Sequence, residues 1–199
     1  MPAIRYSDGI TGILLAAGKG SRFDPAGVSN KLAQVLPGGD MVAVRAAKTL
    51  LSTLREVVVV VRPGTDSLAD ALRQAGCKVV QCEQAGAGMG VSLAYAVSHA
   101  RDAAGWVIAL GDMPVVRADT VEALAETVAH GAGIAVPVHE GRRGNPVAFG
   151  AIHLPRLLQL NEDQGARALL RECPVSEVMV NDPGIHQDID TLEDLRRFG

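Results

Sequence analysis

Short apolar runs alternate along this chain with longer segments in which apolar residues recur every three or four positions. A strand buried on both faces is continuously apolar, whereas a surface helix is apolar on one side, so this alternation predicts a parallel sheet covered by helices. The predicted strands are Gly12–Ala16, Glu56–Val61, Lys78–Gln81, Trp106–Leu110 and Ile134–Val138. The predicted helices are Val42–Leu54, Asp66–Ala75, Ser92–Ala103 and Ala118–Val128. The pattern indicates an α/β fold of three layers (α/β/α) around a mostly parallel, Rossmann-like sheet.

The regular alternation weakens after Pro137, where a turn rich in glycine and arginine follows the fifth strand. The later predicted elements are a strand Pro146–Phe149, helical stretches around Leu154–Leu160 and Gly165–Arg171, a strand near Val175–Val180 and a helix Leu192–Phe198. No linker or change of composition divides the chain, so residues 1–199 are predicted to form a single domain. Within it we interpret residues 139–175 as an accessory lobe that binds an acceptor.

Composition excludes several classes of protein. The 199 residues are 48% hydrophobic, which is enough for one buried core. The net charge is only −3 and the cations are scattered, which argues against a nucleic-acid or membrane partner. Three cysteines without paired spacing indicate reduced thiols. Because the first residues also lack an apolar export signal, we expect a cytoplasmic protein with no membrane span.

The loop after the first strand carries the features of a phosphate-binding loop. Gly18 and Gly20 permit backbone conformations in which several N–H groups point at one phosphate cluster. Lys19, Arg22 and Lys31 add positive charge that a triphosphate needs. The alternative is an ordinary glycine-rich turn with solvated cations.

Two aspartates are candidate metal ligands. Asp112 follows an apolar strand, and ligands of α/β sheets bind at the carboxyl ends of strands. Mg²⁺ typically takes one or two carboxylates together with phosphate oxygens, and Asp190 is the second candidate. Alternatively, Asp112 begins a turn before Pro114, and Asp190 only favours a helix dipole, because Thr191 and Asp194 resemble a capping box.

Other segments supply candidate contacts to a base and to an acceptor. The small residues of Gly86–Gly90 would let backbone groups approach a nucleobase, although Ser92 is equally well explained as a helix N-cap. Arg142, Arg143 and Arg167 could hold an anionic acceptor, or could be solvated surface residues.

Several of these segments together resemble a known family. Leu15 to Arg22, followed by Lys31, resembles the LAAGxGxR…K signature of the nucleotidyltransferase superfamily, which has a glycosyltransferase-A-like sheet. Within that superfamily the chain is most similar to the molybdenum cofactor cytidylyltransferase branch, of the MobA-like NTP transferase type. The segments that carry this similarity are Gly88–Leu93, Gly111–Pro114, Arg143–Phe149, Asp163–Arg167 and Asp188–Thr191. One departure is the interval from Arg22 to Lys31, which is longer than the family's usual spacing.

The resemblance implies roles for individual residues. Arg22, Lys31 and Asp112 would be catalytic, and Asp112 and Asp190 would bind Mg²⁺. The implied nucleotide-binding residues are Leu15, Ala16, Ala17, Gly18, Lys19, Gly20, Arg22, Lys31, Gly88, Ser92 and Asp112. The implied acceptor-binding residues are Arg143, Gly144, Pro146 and Arg167.

The activity that the resemblance implies is transfer of CMP from CTP to molybdopterin or the molybdenum cofactor, with release of pyrophosphate. Ala16-Ala17-Gly18 resembles the cytidylyl variant of the motif, which favours CTP over GTP. A transient contact with a molybdoenzyme or its chaperone would follow. Three alternatives stay open: a sugar, polyol or other small-molecule phosphate as acceptor, GTP as donor, and a non-catalytic carrier of the cofactor.

Overall fold

The computed structural model describes residues 9–18, 20, 23–24, 29–161 and 166–198. The strands are β1 (Ile10–Ala16), β2 (Val57–Val61), β3 (Lys78–Gln81), β4 (Gly105–Leu110), β5 (Ile134–His139), β6 (Arg142–Arg143), β7 (Val147–Gly150) and β8 (Ser176–Met179). The helices are α1 (Val42–Leu51), α2 (Asp66–Gln74), α3 (Met89–Ser98), α4 (Ala118–Ala129), α5 (Leu154–Leu158), α6 (Arg167–Glu172) and α7 (Leu192–Arg197). The predicted α/β fold class, with a mostly parallel sheet, is confirmed. None of the helices described is both long and apolar enough to cross a bilayer.

The valine run of β2 shows why the chain forms this sheet. All five residues of Val57–Val61 are at most 1% exposed, because helices cover both faces of the strand. Alternate side chains point to opposite faces, so Val57, Val59 and Val61 pack in the core that contains α1 and α2, and the other two valines in the core that contains α3. Burial of each such side chain contributes about 1.5–3 kcal/mol to the hydrophobic stabilisation.

The strand order brings the ends of β1 and β4 together. The sheet runs β3-β2-β1-β4-β7-β5-β6, with β8 paired to β5. β1 is parallel to β4, and Leu15 lies opposite Leu110. The Gly111 N–H donates to the Leu15 carbonyl oxygen at 2.9 Å. The glycine-rich loop and Asp112 therefore leave the sheet side by side.

Part of segment 139–175, which the sequence analysis interprets as an accessory lobe, belongs to the main sheet. β7 is antiparallel and lies between β4 and β5, so part of segment 139–175 is a strand of the main sheet. α5 and α6 of the same segment bury Leu157 and Leu169 in the α3 core. α3 begins at Met89 rather than Ser92, because Gly88, with φ of 135°, ends the preceding turn and caps the helix. The N-cap alternative for Ser92 is therefore wrong.

Candidate functional site

A cavity of about 520 Å³ opens at the carboxyl ends of β1 and β4, within the usual range for small-molecule sites. Its walls come from the loop after β1, the N-terminal end of α3 and the exit of β4. The predicted nucleotide-binding residues that line it are Leu15, Ala17, Gly18, Gly20, Lys31, Gly88, Ser92 and Asp112. Ala16 is buried and is not among the described residues that line the cavity. Lys19 and Arg22 lie outside the described residues.

Lys31 lies between two of the predicted acids. It begins a short 3₁₀ turn whose N-cap, Asn30, accepts a hydrogen bond from the Leu32 N–H at 3.0 Å. The Lys31 ammonium is 2.7 Å from Asp112 Oδ2 and 2.8 Å from Asp190 Oδ1. The long interval between Arg22 and Lys31 therefore still delivers the lysine to the acids.

The environment keeps Lys31 charged. Its side chain is only 10% exposed, against 21% for Asp112 and 33% for Asp190. Burial on its own would lower the pKa of the Lys31 ammonium, but the charges and hydrogen bonds of the two aspartates outweigh burial and raise that pKa. The site thus contains a fixed cation beside two carboxylates.

A third carboxylate, Asp188, was missed by the sequence reasoning. Ile189 is buried, and its N–H donates to the Asp112 carbonyl oxygen at 2.9 Å. In an extended stretch, residues on either side of a buried one share a face, so Asp188 and Asp190 both point toward Asp112. One oxygen from each of the three aspartates lies within 4.8 Å of the others. The signal in the sequence was the Asp-Ile-Asp alternation.

Asp188 lies among other negative charges. Partial burial raises the pKa of its carboxyl, and the negative charges of Asp190 and Asp112 raise it further, although Lys31 opposes the shift. A cation bound between the three carboxylates would lessen their mutual repulsion.

The three acids fit a divalent metal. Asp112 Oδ2 accepts the bond from Lys31, whereas Asp112 Oδ1 is buried and has no hydrogen-bond partner among the described residues. An unpartnered buried carboxylate oxygen is costly unless a ligand satisfies it. Carboxylate oxygens are the donors that Mg²⁺ and Mn²⁺ prefer.

The predicted capping box does form, but it does not use the side chain of Asp190. Thr191 Oγ1 accepts from the Asp194 N–H at 3.1 Å, and Asp194 Oδ2 accepts from the Thr191 N–H at 2.8 Å. The Asp190 carboxylate instead faces Lys31. The helix start and the charged cluster therefore use different side chains.

The predicted acceptor-binding residues make contacts outside this cluster. Arg143 Nε donates to Glu177 Oε1 at 2.7 Å, and Arg167 is exposed on α6. Gly144 packs closely against Ile185, and Pro146 follows a cis peptide bond. Of these four residues, none is among the described residues that line the cavity at Asp112. Their role in acceptor binding stays a prediction.

Known proteins are similar to this chain in sequence and in fold. Residues 12–178 match the family model of the MobA-like NTP transferase domain. The purine catabolism protein PucB of Bacillus subtilis (strain 168) is 30% identical over 197 residues, and the match covers 93% of each chain.

Two solved structures are also similar. Rv0371c of Mycobacterium tuberculosis in complex with manganese is 25% identical, with a TM-score of 0.79, and the match covers 96% of this chain and 97% of that one. A nucleotidyl transferase from Methanothermobacter (Mth528) is 26% identical, with a TM-score of 0.80, and covers 96% and 95% respectively.

Proposed function

Because the chain belongs to the MobA-like NTP transferase family and is a nucleotidyltransferase, we propose that it transfers CMP from CTP to molybdopterin or the molybdenum cofactor. Pyrophosphate is the second product. The observation that carries the proposal is the Lys31–Asp112–Asp190 cluster, of which Lys31 and Asp112 line a cavity shared with both glycine-rich loops.

Mg²⁺ is the proposed cofactor, held by Asp112 and Asp190 with Asp188 beside them. The unpartnered Asp112 Oδ1 supports this assignment, as does the manganese bound to the mycobacterial relative. When bound, the ion supplies positive charge that neutralises the triphosphate and makes the α-phosphorus more electrophilic.

The residues of the chain position and stabilise the reacting groups. The acceptor phosphate oxygen forms a bond to the α-phosphorus, while the bond from that phosphorus to the α–β bridging oxygen breaks. The charged Lys31 would contact the α-phosphate, where charge develops. Lys19 and Arg22 would hold the departing pyrophosphate, and the backbone N–H groups near Gly18 and Gly20 would hold the phosphates. The acceptor phosphate is already ionised at neutral pH, so no general base is required.

Base choice is assigned to the α3 side of the cavity. Gly86, Gly88 and Ala85 leave backbone groups uncovered there, which suits recognition of a base edge by hydrogen bonds. The preference for CTP rests on the similarity of Ala16-Ala17-Gly18 to the cytidylyl motif. A guanine is larger and presents a different set of donors and acceptors.

The acceptor is assigned to the segment 139–175 of the single domain, with Arg143, Gly144, Pro146 and Arg167 as contacts. The two arginines are exposed cations that suit an anionic ligand. A molybdoenzyme or its chaperone would then receive the product in the cytoplasm. Two assignments compete with this one. In the first, the acceptor is a sugar or polyol phosphate, and in the second, the protein carries the cofactor without nucleotide transfer.

The test is pyrophosphate release with each of the four NTPs, with and without Mg²⁺, in the presence of each acceptor class. We expect kcat/KM for CTP to exceed that for GTP by at least about tenfold. In parallel thermal melts, CTP with Mg²⁺ at about 100 times its Kd should add about 2.7 kcal/mol of stability. Equal kcat/KM for GTP would overturn the donor assignment. Turnover only with a sugar or polyol phosphate would overturn the acceptor assignment, and NTP binding without pyrophosphate release would favour the carrier.

A further inference from the structure

A fourth aspartate, Asp182, is buried and is not among the described residues that line the cavity. It is 1% exposed, and its carboxylate accepts three hydrogen bonds. Oδ2 accepts from the Arg117 N–H at 2.9 Å and from Thr120 Oγ1 at 2.7 Å, and Oδ1 accepts from the Gly184 N–H at 2.9 Å. Two of these donors lie at the start of α4. Asp182 therefore ties its own segment to the N-terminal end of that helix, where a negative charge is favourable.

The segment from Asp182 to Asp190, which we call the brace, is fixed at both of its ends to the loop between β4 and α4. At one end Asp182 bonds to the start of α4. At the other, the Ile189 N–H donates to the Asp112 carbonyl oxygen. Between these points Gly184 lies so close to the Val115 carbonyl oxygen that a Cβ atom would clash with it. The brace therefore lies flat along the loop that carries Asp112.

The brace also holds the loop before β7. The Ile185 carbonyl oxygen accepts from the Asn145 N–H at 3.0 Å, and a Cβ atom on Gly144 would clash with Ile185. The brace thus contacts both the loop of Asp112 and the loop of Gly144.

We infer that Asp182 is a positioning residue for the metal-binding carboxylates, because it fixes the brace that presents Asp188 and Asp190 to Asp112. The inference rests on the proposed function, since it takes those carboxylates as metal ligands. Hydrogen bonds that orient metal ligands from outside the coordination sphere typically change metal affinity about 10–100-fold when they are lost. Asp182 acts through the backbone rather than by touching the metal or the nucleotide.

The test measures the Kd of Mn²⁺ for the full chain without nucleotide, by electron paramagnetic resonance of free Mn²⁺, well below the melting temperature. Asp182→Asn keeps the shape of the side chain but replaces one acceptor oxygen by an NH₂ group that faces N–H or O–H donors. We expect the Kd to rise about tenfold. Thr120→Val removes only one of the three bonds and should give a smaller rise, and it carries the test if Asp182→Asn does not fold.

The matched control is Leu72→Ala, which removes a fully buried side chain on α2, outside the brace. It should lower the melting temperature while leaving the Mn²⁺ Kd unchanged, which separates positioning from general loss of stability. If wild type binds Mn²⁺ and both Asp182→Asn and Thr120→Val bind it equally well, Asp182 has no positioning role. If wild type itself does not bind Mn²⁺, the metal site of the proposed function fails, and this inference with it.

Discussion

The loop that carries Asp112 and the brace that carries Asp182 use their carboxylates in opposite ways. Asp112 Oδ1 is buried without a hydrogen-bond partner among the described residues, whereas both oxygens of Asp182 accept bonds from three donors in total. A buried carboxylate oxygen without a partner carries a penalty that a ligand can remove, while a satisfied one makes its surroundings rigid. At these two aspartates, the contrast separates a carboxylate that is open to a ligand from one that supports the site.

Glycines in the two regions differ in the same way. A Cβ atom on Gly18 would meet no atom within 4 Å among the described residues, whereas one on Gly184 would clash with the backbone of Val115. The first glycine leaves space that a phosphate can enter, and the second allows two segments of the chain to touch.

The largest expected effect is that of Asp112→Asn, which tests whether the Asp112 carboxylate is open to a ligand. It keeps the shape of the side chain but removes a charge from the proposed metal site, so turnover should fall by ~10³-fold. The melting temperature of the ligand-free protein should change little, because Lys31 still pairs with Asp190. Steady-state pyrophosphate release and a thermal melt measure the two quantities. Asp70→Asn, at an exposed pair with Arg73, serves as the control. Near-normal turnover of the Asp112 variant would contradict the assignment of Asp112 to the ligand-binding part of the molecule.

Lys31→Ala should lower kcat by ~10²-fold while changing the KM for the NTP much less, because the ammonium acts on charge that develops during transfer. Single-turnover and steady-state rates distinguish the chemical step from binding. Lys48→Ala removes an exposed lysine paired with Asp40 and should leave both constants unchanged. A raised KM with an unchanged kcat would make Lys31 a docking group only.

A pair of glycine substitutions sharpens the steric half of the comparison. Gly184→Ala should destabilise the protein by about 1–3 kcal/mol, because its methyl group has no space beside Val115. Gly18→Ala should change the free energy of unfolding by less than about 0.5 kcal/mol but weaken NTP binding several-fold, because its methyl group enters the cavity. Urea titrations and NTP binding curves measure both. Equal losses of stability in the two variants would contradict the distinction.

The sequence predicted the parts of this arrangement that depend on local pattern. The strands β1 to β5 and the helices between them follow from apolar runs and helical periodicity, and Asp112 was found because it ends such a run. The position of β7 inside the sheet was not predictable, because it depends on pairing with strands distant in the chain. Asp182 was not recognised either: followed by Pro183 and Gly184 it is typical of a turn, and nothing local indicates its bonds to α4.

The smallest expected effect concerns Asp188, which is attached to the brace but faces the open site. In the folded protein the pKa of its carboxyl is raised above the ordinary value of 3.8. Folding therefore favours the protonated carboxyl, whose stabilising contribution is fully present below pH 3.8 and is lost as the pH rises through the raised pKa. At pH 7 the ionised group therefore costs stability, and Asp188→Asn should raise the melting temperature of the metal-free protein by about 1 °C.

The same variant should lose part of the stabilisation that Mn²⁺ with an NTP gives to wild type, so the order of the two melting temperatures should reverse when these ligands are added. Asp102→Asn, at an exposed residue outside the acid cluster, should show neither change. A lower melting temperature for Asp188→Asn without ligand would mean that this carboxylate supports the fold as Asp182 does. Asp188 would then belong with the residues that support the site and not with those that are open to a ligand.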